Sequence, residues 1–190
     1  DEYLKRYLEP LAQERSYPVI LTAYWPGASS GTLTFGSSGR PADRDDVRKN
    51  LIATSYALAA GGPTYLMLPT PEFPMNVATT LQARLVRDPK TPDITLPVED
   101  YKKYREPIAA AMRQAEAQCG VKLLDPLPLL CPDGDVCLGS QQHRAIIRDR
   151  HHMTEYGNRL LIPLYKPVIE AALSIRDRAS IQSPNANAAR

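Results

Sequence analysis

The chain has 190 residues, 43% hydrophobic and 23% charged, with 23 Lys plus Arg against 21 Asp plus Glu for a net charge of +2. That length fits one domain with a core of ordinary size, and the near-neutral balance excludes the strong basic bias that nucleic acid or an anionic membrane surface selects. A membrane-spanning helix needs roughly 18 or more consecutive apolar residues, and the sequence contains no such run.

In chain order, Tyr3, Tyr7, Leu8 and Leu11 recur at helical spacing, predicting a helix over 2–15. Asp1 is not an initiator methionine and no signal-peptide pattern precedes the helix, so the chain is expected to be a piece of a longer protein. Pro18 to Trp25 is a short apolar run with β-branched and aromatic members, predicting a strand buried on both faces. Gly27 to Gly39 predicts a surface hairpin or extended loop. Asp43 to Ala60 predicts a helix with Val47, Leu51, Ser55 and Leu58 on one face, acidic residues in its first turn, and Gly61-Gly62 as its stop.

Thr64 to Leu68 predicts a second buried strand that ends in the proline-rich run Pro69 to Pro74. Asn76 to Arg87 predicts a short helix. Beyond a polar loop, Tyr101, Tyr104, Ile108, Met112, Ala115 and Cys119 mark a longer helix that Pro107 is expected to kink or restart. Gly120 ends that helix, and Val121 to Leu124 predicts a third strand. Residues 125–144 read as a loop, Ala145 to Ile147 as a short extended piece, and Thr154 as the cap of a final helix reaching Ile175. Alternating helices and continuously apolar strands predict an α/β fold, a three-layer α/β/α sandwich with a mainly parallel sheet, over residues 1–177, with 178–190 as a disordered tail.

Of the three cysteines, Cys131 and Cys137 bracket the turn-forming run Pro132-Asp133-Gly134. They read either as a disulfide, which implies an oxidising compartment, or as two unpaired thiols in a loop. Cys119, on the apolar stripe of its helix, reads as a buried free thiol. The sharpest chemical feature is the run from Arg148 to Gly157, in which Asp149 stands three residues before His152. A carboxylate bonded to one ring nitrogen leaves the other free to take a proton from a hydroxyl, which is the base half of a Ser-His-Asp triad. The competing reading is a salt-bridged surface loop.

The segment resembles the last motif block of SGNH (GDSL-like) hydrolases, D-x-x-H-hydrophobic-S/T-x-x-G, with Asp149, His152, Met153, Thr154 and Gly157 at the matching positions. It is most similar to the periplasmic SGNH domain fused to family 3 membrane acyltransferases. Ala23-Tyr24-Trp25, the run from Leu68-Pro69 to Phe73-Pro74, and Leu130-Cys131 with Cys137 match further features, so the likeness spans about residues 17–173. The resemblance implies an O-acyltransferase or esterase that moves acetyl groups on cell-surface glycans, in a periplasmic or extracytoplasmic setting, beside a membrane acyltransferase domain. It implies a glycan acceptor, an acetyl donor, no cofactor and no nucleic acid. His152 and Asp149 are the implied catalytic residues.

The chain departs from the family pattern at the nucleophile. No serine follows a Gly-Asp pair: Ser29, Ser30, Ser37 and Ser38 lie among glycines and read as flexible turns. The family's Gly and Asn oxyanion blocks are not evident either; Gly61 and Gly62 read as a helix cap, and Asn76 and Asn158 as helix-start or surface residues. The serine is therefore expected in a segment upstream of Asp1, and this chain alone is expected to be inactive; the alternative is a non-catalytic SGNH-like module that binds glycan or a partner protein. His143, His151, His152 and the cysteine pair can be assembled into a metal site on paper, but adjacent histidines should point different ways, and no metal is expected. Tyr24, Trp25 and Tyr65 are candidates for a sugar-binding face, against the commoner fate of core packing.

Overall fold

A computed structural model of the protein describes Arg6 and residues 17–23, 34–35, 40–41 and 43–182, of which 34–35, 40–41 and 176–182 are described in backbone only. The helix expected over 2–15, the four loop serines and the Tyr24-Trp25 pair lie outside the described residues, Arg6 excepted. The chain divides into two compact units: the first comprises Asp1–Met67, Ala110–Leu124 and Tyr165–Arg190, the second Leu68–Ala109 and Asp125–Leu164.

The first unit is built on three parallel strands in the order β1-β4-β6: β1 is Val19–Leu21, β4 Thr64–Met67 and β6 Lys122–Leu124. All four residues of β4 are buried, as suits the middle strand of a parallel sheet, whereas the three apolar residues of β1 are only half-buried. Strands β2 (Thr34–Phe35) and β3 (Arg40–Pro41) pair antiparallel; of the stretch 27–39 expected as a hairpin or extended loop, only Thr34–Phe35 lie within the described residues. Helix α1, Arg44–Gly61, starts on a capping box in which Asp43 and Asp46 each accept a backbone N–H from the other residue. It buries Leu51, Ser55 and Leu58 and ends at Gly62, whose φ of 148° only glycine adopts without strain. Tyr65 is buried in this unit and its hydroxyl donates to the Pro167 carbonyl at 3.2 Å, so it is a core residue and not part of a sugar-binding surface. Cys119 is half-buried; its Sγ lies 3.6 Å from the Ile52 carbonyl, and burial pushes its thiol pKa up.

The second unit begins with the proline-rich run and helix α2, Val77–Arg87, which Asn76 caps by accepting the Thr79 N–H at 2.9 Å. Helix α3, Val98–Cys119, starts three residues earlier than expected and runs unbroken through Pro107; Tyr101 to Ala109 belong to this unit and Ala110 to Cys119 to the first. A strand precedes it where a polar loop was expected: β5, Thr95–Pro97, pairs antiparallel with β7, Val136–Leu138. Residues 125–144 are likewise not a plain loop. They hold α4 (Leu127–Leu130), β7 and the hairpin of β8 (Ser140–Gln141) with β9 (Arg144–Ala145). These strands are two or three residues long, too short for any hydrophobic period to mark them.

The last helix is two. Thr154 caps α5, Glu155–Leu160, and α6, Ile162–Gln182, follows a break at Leu161. The backbone is thus helical through residues 178–182 of the expected tail, and 183–190 lie outside the described residues.

Candidate active site

The Asp149–His152 pair of the second unit lies in residues 147–157. Ile147 and Met153 form an isolated antiparallel bridge, and the Arg148 N–H donates to the His152 carbonyl at 2.7 Å, so the five residues between are folded into a tight turn. Inside that turn Asp149 acts first as a backbone anchor: its Oδ1 accepts the N–H groups of His151 (3.0 Å) and His152 (2.9 Å). Its other oxygen, Oδ2, lies 2.7 Å from His152 Nδ1. The His152 and His151 backbone N–H groups hold the Asp149 carboxyl well below the usual carboxylate range, with the imidazole contact adding to them. An ionised Asp149 fixes the tautomer in which Nδ1 carries the proton, and leaves Nε2 as an acceptor. The His152 side chain is 58% exposed, so that acceptor is open to a ligand.

The remaining motif positions have structural reasons. Thr154 Oγ1 accepts the Gly157 N–H at 3.0 Å and donates to the Ala145 carbonyl at 2.7 Å, tying the start of α5 to β9. At Gly157 a Cβ would stand 2.3 Å from the Ile146 carbonyl oxygen and 2.9 Å from Met153 Cε, so only glycine lets the helix sit this close. Met153 thus lines the same contact. The motif's spacing is the spacing of a turn, a cap and a close approach.

Other residues hold the loop from outside, and sequence reasoning missed them. The N–H groups of Phe73 and Val77 donate to the carbonyls of Arg150 (2.8 Å) and Asp149 (2.7 Å), while Arg150 returns Nε to the Phe73 carbonyl at 3.0 Å. Arg150 also pairs with Glu72 at 3.1 Å, and Glu72 accepts the Tyr104 hydroxyl. The buried Tyr101 hydroxyl donates to the Pro69 carbonyl and accepts from Arg105, which makes a two-pronged pair with Asp125 at 2.9 Å on each prong. Burial pushes the Tyr101 hydroxyl up to about 12, so it stays protonated as a donor. The proline-rich segment is the frame on which the Asp149–His152 turn is mounted. Only a fold brings these partners together, some of them 77 residues apart in sequence.

Of the donors weighed for a metal, His151 and His152 come together, joined by Asp149, with potential ligand atoms of the three within 4.8 Å of one another and the two imidazole centroids 4.1 Å apart. The adjacent histidines therefore lie side by side, contrary to the expectation that they diverge, because the turn reverses the chain between them and Arg148. The other donors are engaged elsewhere. His143 Nε2 contacts the Thr91 carbonyl at 2.9 Å, in a hairpin whose Gln142 and His143 N–H groups are both captured by Asp93. Cys131 and Cys137 form a disulfide, with Cα atoms 4.0 Å apart. Asn158 lies in α5, and Asn76 is the α2 cap already described.

No curated protein matches the chain significantly. Among solved structures, the chain is similar to the periplasmic domain of a lipopolysaccharide acetyltransferase from Salmonella ser. Paratyphi A. The identity is 15% and the TM-score 0.58, over 85% of this chain and 59% of that one, a likeness of fold. The chain thus spans less than two thirds of that domain's length. The model of SGNH domains fused to AT3 domains matches residues 2–167, most of the chain, and the protein belongs to that family.

Proposed function

We propose that the chain is the acid–base part of an O-acyltransferase or esterase acting on cell-surface glycans in the periplasm, with His152 as general base and Asp149 as its orienting carboxylate. The carrying observation is the 2.7 Å contact between Asp149 Oδ2 and His152 Nδ1 on an imidazole left open to solvent. Family membership, and the fold shared with a lipopolysaccharide acetyltransferase domain, support the acyl-transfer class. The nucleophilic serine is supplied from outside residues 1–190, in a protein that also carries a membrane acyltransferase domain.

In this reaction the serine Oγ bonds to the acyl carbon as its proton passes to His152 Nε2. The imidazolium returns the proton to the departing oxygen. A sugar hydroxyl, or water, then repeats the sequence in reverse and frees the serine. Asp149 stays ionised throughout because backbone N–H groups, and not the imidazole alone, stabilise its charge. The parallel sheet of the first unit is proposed to continue past β1 and to be covered by helices on both faces. Support comes from Val19-Ile20-Leu21, three apolar residues in a strand that, among the described residues, pairs on one side only.

The test is hydrolysis of an aryl acetate by the protein containing this chain and its nucleophile. His152→Ala should lower kcat/KM by about a thousandfold with the melting temperature unchanged, because the ring is exposed. Activity that survives this substitution refutes the base assignment.

A further inference from the structure

Two arginines flank Asp149, and the fold treats them differently. Arg150 is committed to scaffolding: Nε binds the Phe73 carbonyl at 3.0 Å and the guanidinium pairs with Glu72 at 3.1 Å. Arg148 is not. Its side chain is 68% exposed, and its one ion-pair contact among the described residues is to Asp149 Oδ2, at 3.8 Å.

That contact is too long for a hydrogen bond. Nor does Asp149 need it, since the carboxylate already accepts two backbone N–H groups and faces the His152 ring. The backbone that carries Arg148 is nonetheless well fixed. It follows the fully buried Ile147, and its N–H closes the turn on the His152 carbonyl at 2.7 Å. Residues joined in this way across a tight antiparallel turn send their side chains off the same face. The guanidinium and the imidazole accordingly both reach one carboxylate oxygen, Asp149 Oδ2, at 3.8 and 2.7 Å.

A planar cation with unspent donors, carried on a fixed backbone beside the carboxylate that orients the base, is suited to hold an oxyanion two-pronged. We infer that Arg148 is a substrate-binding residue selecting glycans that carry a carboxylate or phosphate close to the hydroxyl that reacts at His152. This rests on the acyl-transfer reading given above and adds the class of acceptor. An acid group on the reacting sugar or its neighbour falls within reach of the guanidinium, whereas a neutral glycan leaves the cation solvated and gains nothing from it.

The experiment uses the protein containing this chain and its nucleophile, with p-nitrophenyl acetate as acyl donor. Acceptors of matched length are an oligogalacturonate, a 6-phosphorylated oligomannoside and a neutral maltooligosaccharide. If water takes the acyl group in place of sugar, the same oligosaccharides are scored as inhibitors of hydrolysis. The expected result is a preference of about tenfold for an acidic over the neutral ligand, shrinking as salt is raised. Arg148→Gln should reduce the preference to near unity, and Arg148→Lys should keep part of it. Whichever acidic arm carries the preference identifies the oxyanion.

Equal use of all three ligands by the unaltered protein, or a preference that persists in Arg148→Gln, overturns the inference. His152→Ala judges the underlying reading separately. Loss of aryl acetate hydrolysis in that variant, alongside an Arg148→Gln protein that still prefers acids, sinks this inference and leaves the acyl-transfer reading standing.

Discussion

The two units reach order by different means. In the first, β1, β4 and β6 satisfy their backbones in a parallel ladder, with the central β4 buried along its whole length. In the second, the strands are two or three residues long, and irregular backbone finds side chains as partners: Asp93 for the Gln142-His143 turn, Ser140 for Ile94, Asp149 for His151 and His152. Every buried N–H needs an acceptor, and a segment that leaves the ladder must recruit one from a side chain. The lesson is that the polar residues around the candidate site are structural first. Asp149 orients an imidazole because it is already fixed by the turn it builds.

The largest stability effect should come from breaking the first unit. Leu66 in β4 is fully buried, and Leu66→Ala should lower unfolding free energy by about 3 kcal/mol, read from denaturant titration. The low-field Nδ1–H proton resonance of His152 should persist in the molecules that remain folded. Gly157→Ala should behave in the opposite sense. The clash with the Ile146 carbonyl should cost about 2 kcal/mol, less than the core truncation, yet the same resonance should vanish and aryl acetate hydrolysis with it. If Leu66→Ala instead erased the resonance at equal folded fraction, the contrast between scaffold and loop would be broken.

The smallest effect sharpens the dual role of Asp149. Its carboxyl is held below the ordinary range chiefly by the His152 and His151 backbone N–H groups. A depressed folded pKa contributes stability that is complete above the unfolded value of about 4 and is lost as pH falls toward the folded one. The melting temperature of the unaltered protein should therefore exceed that of Asp149→Asn by a constant margin near neutral pH, and the margin should narrow on acidification below about 4. A margin independent of pH would mean that the carboxylate charge does not hold the turn.

The pair at the heart of the site was legible because its geometry is local. Asp149 and His152 are three residues apart, Thr154 and Gly157 another three, and a turn followed by a cap specifies such contacts from sequence alone. The disulfide was legible for the same reason, since Cys131 and Cys137 enclose a short turn. The first unit's strands were legible because each lies in a short, largely apolar run bounded by glycine or proline, although β6 opens on the exposed Lys122. By contrast, β5 carries one buried residue, Leu96, between two exposed ones, and its partner β7 lies beyond a whole helix. No period exists in three residues to be read.

What the sequence by itself determined is the set of short-range arrangements: where helices cap, which runs are buried, which carboxylate faces which imidazole. Only the tertiary structure decided that Glu72, Phe73 and Val77 hold the loop, that Tyr101 and Tyr104 hold them in turn, and that Arg150 is committed while Arg148 is open. Those contacts join side chains and backbone groups far apart along the chain. Local propensity carries no information about them, and they come into being only when helix α3 and the proline-rich run are folded against the turn.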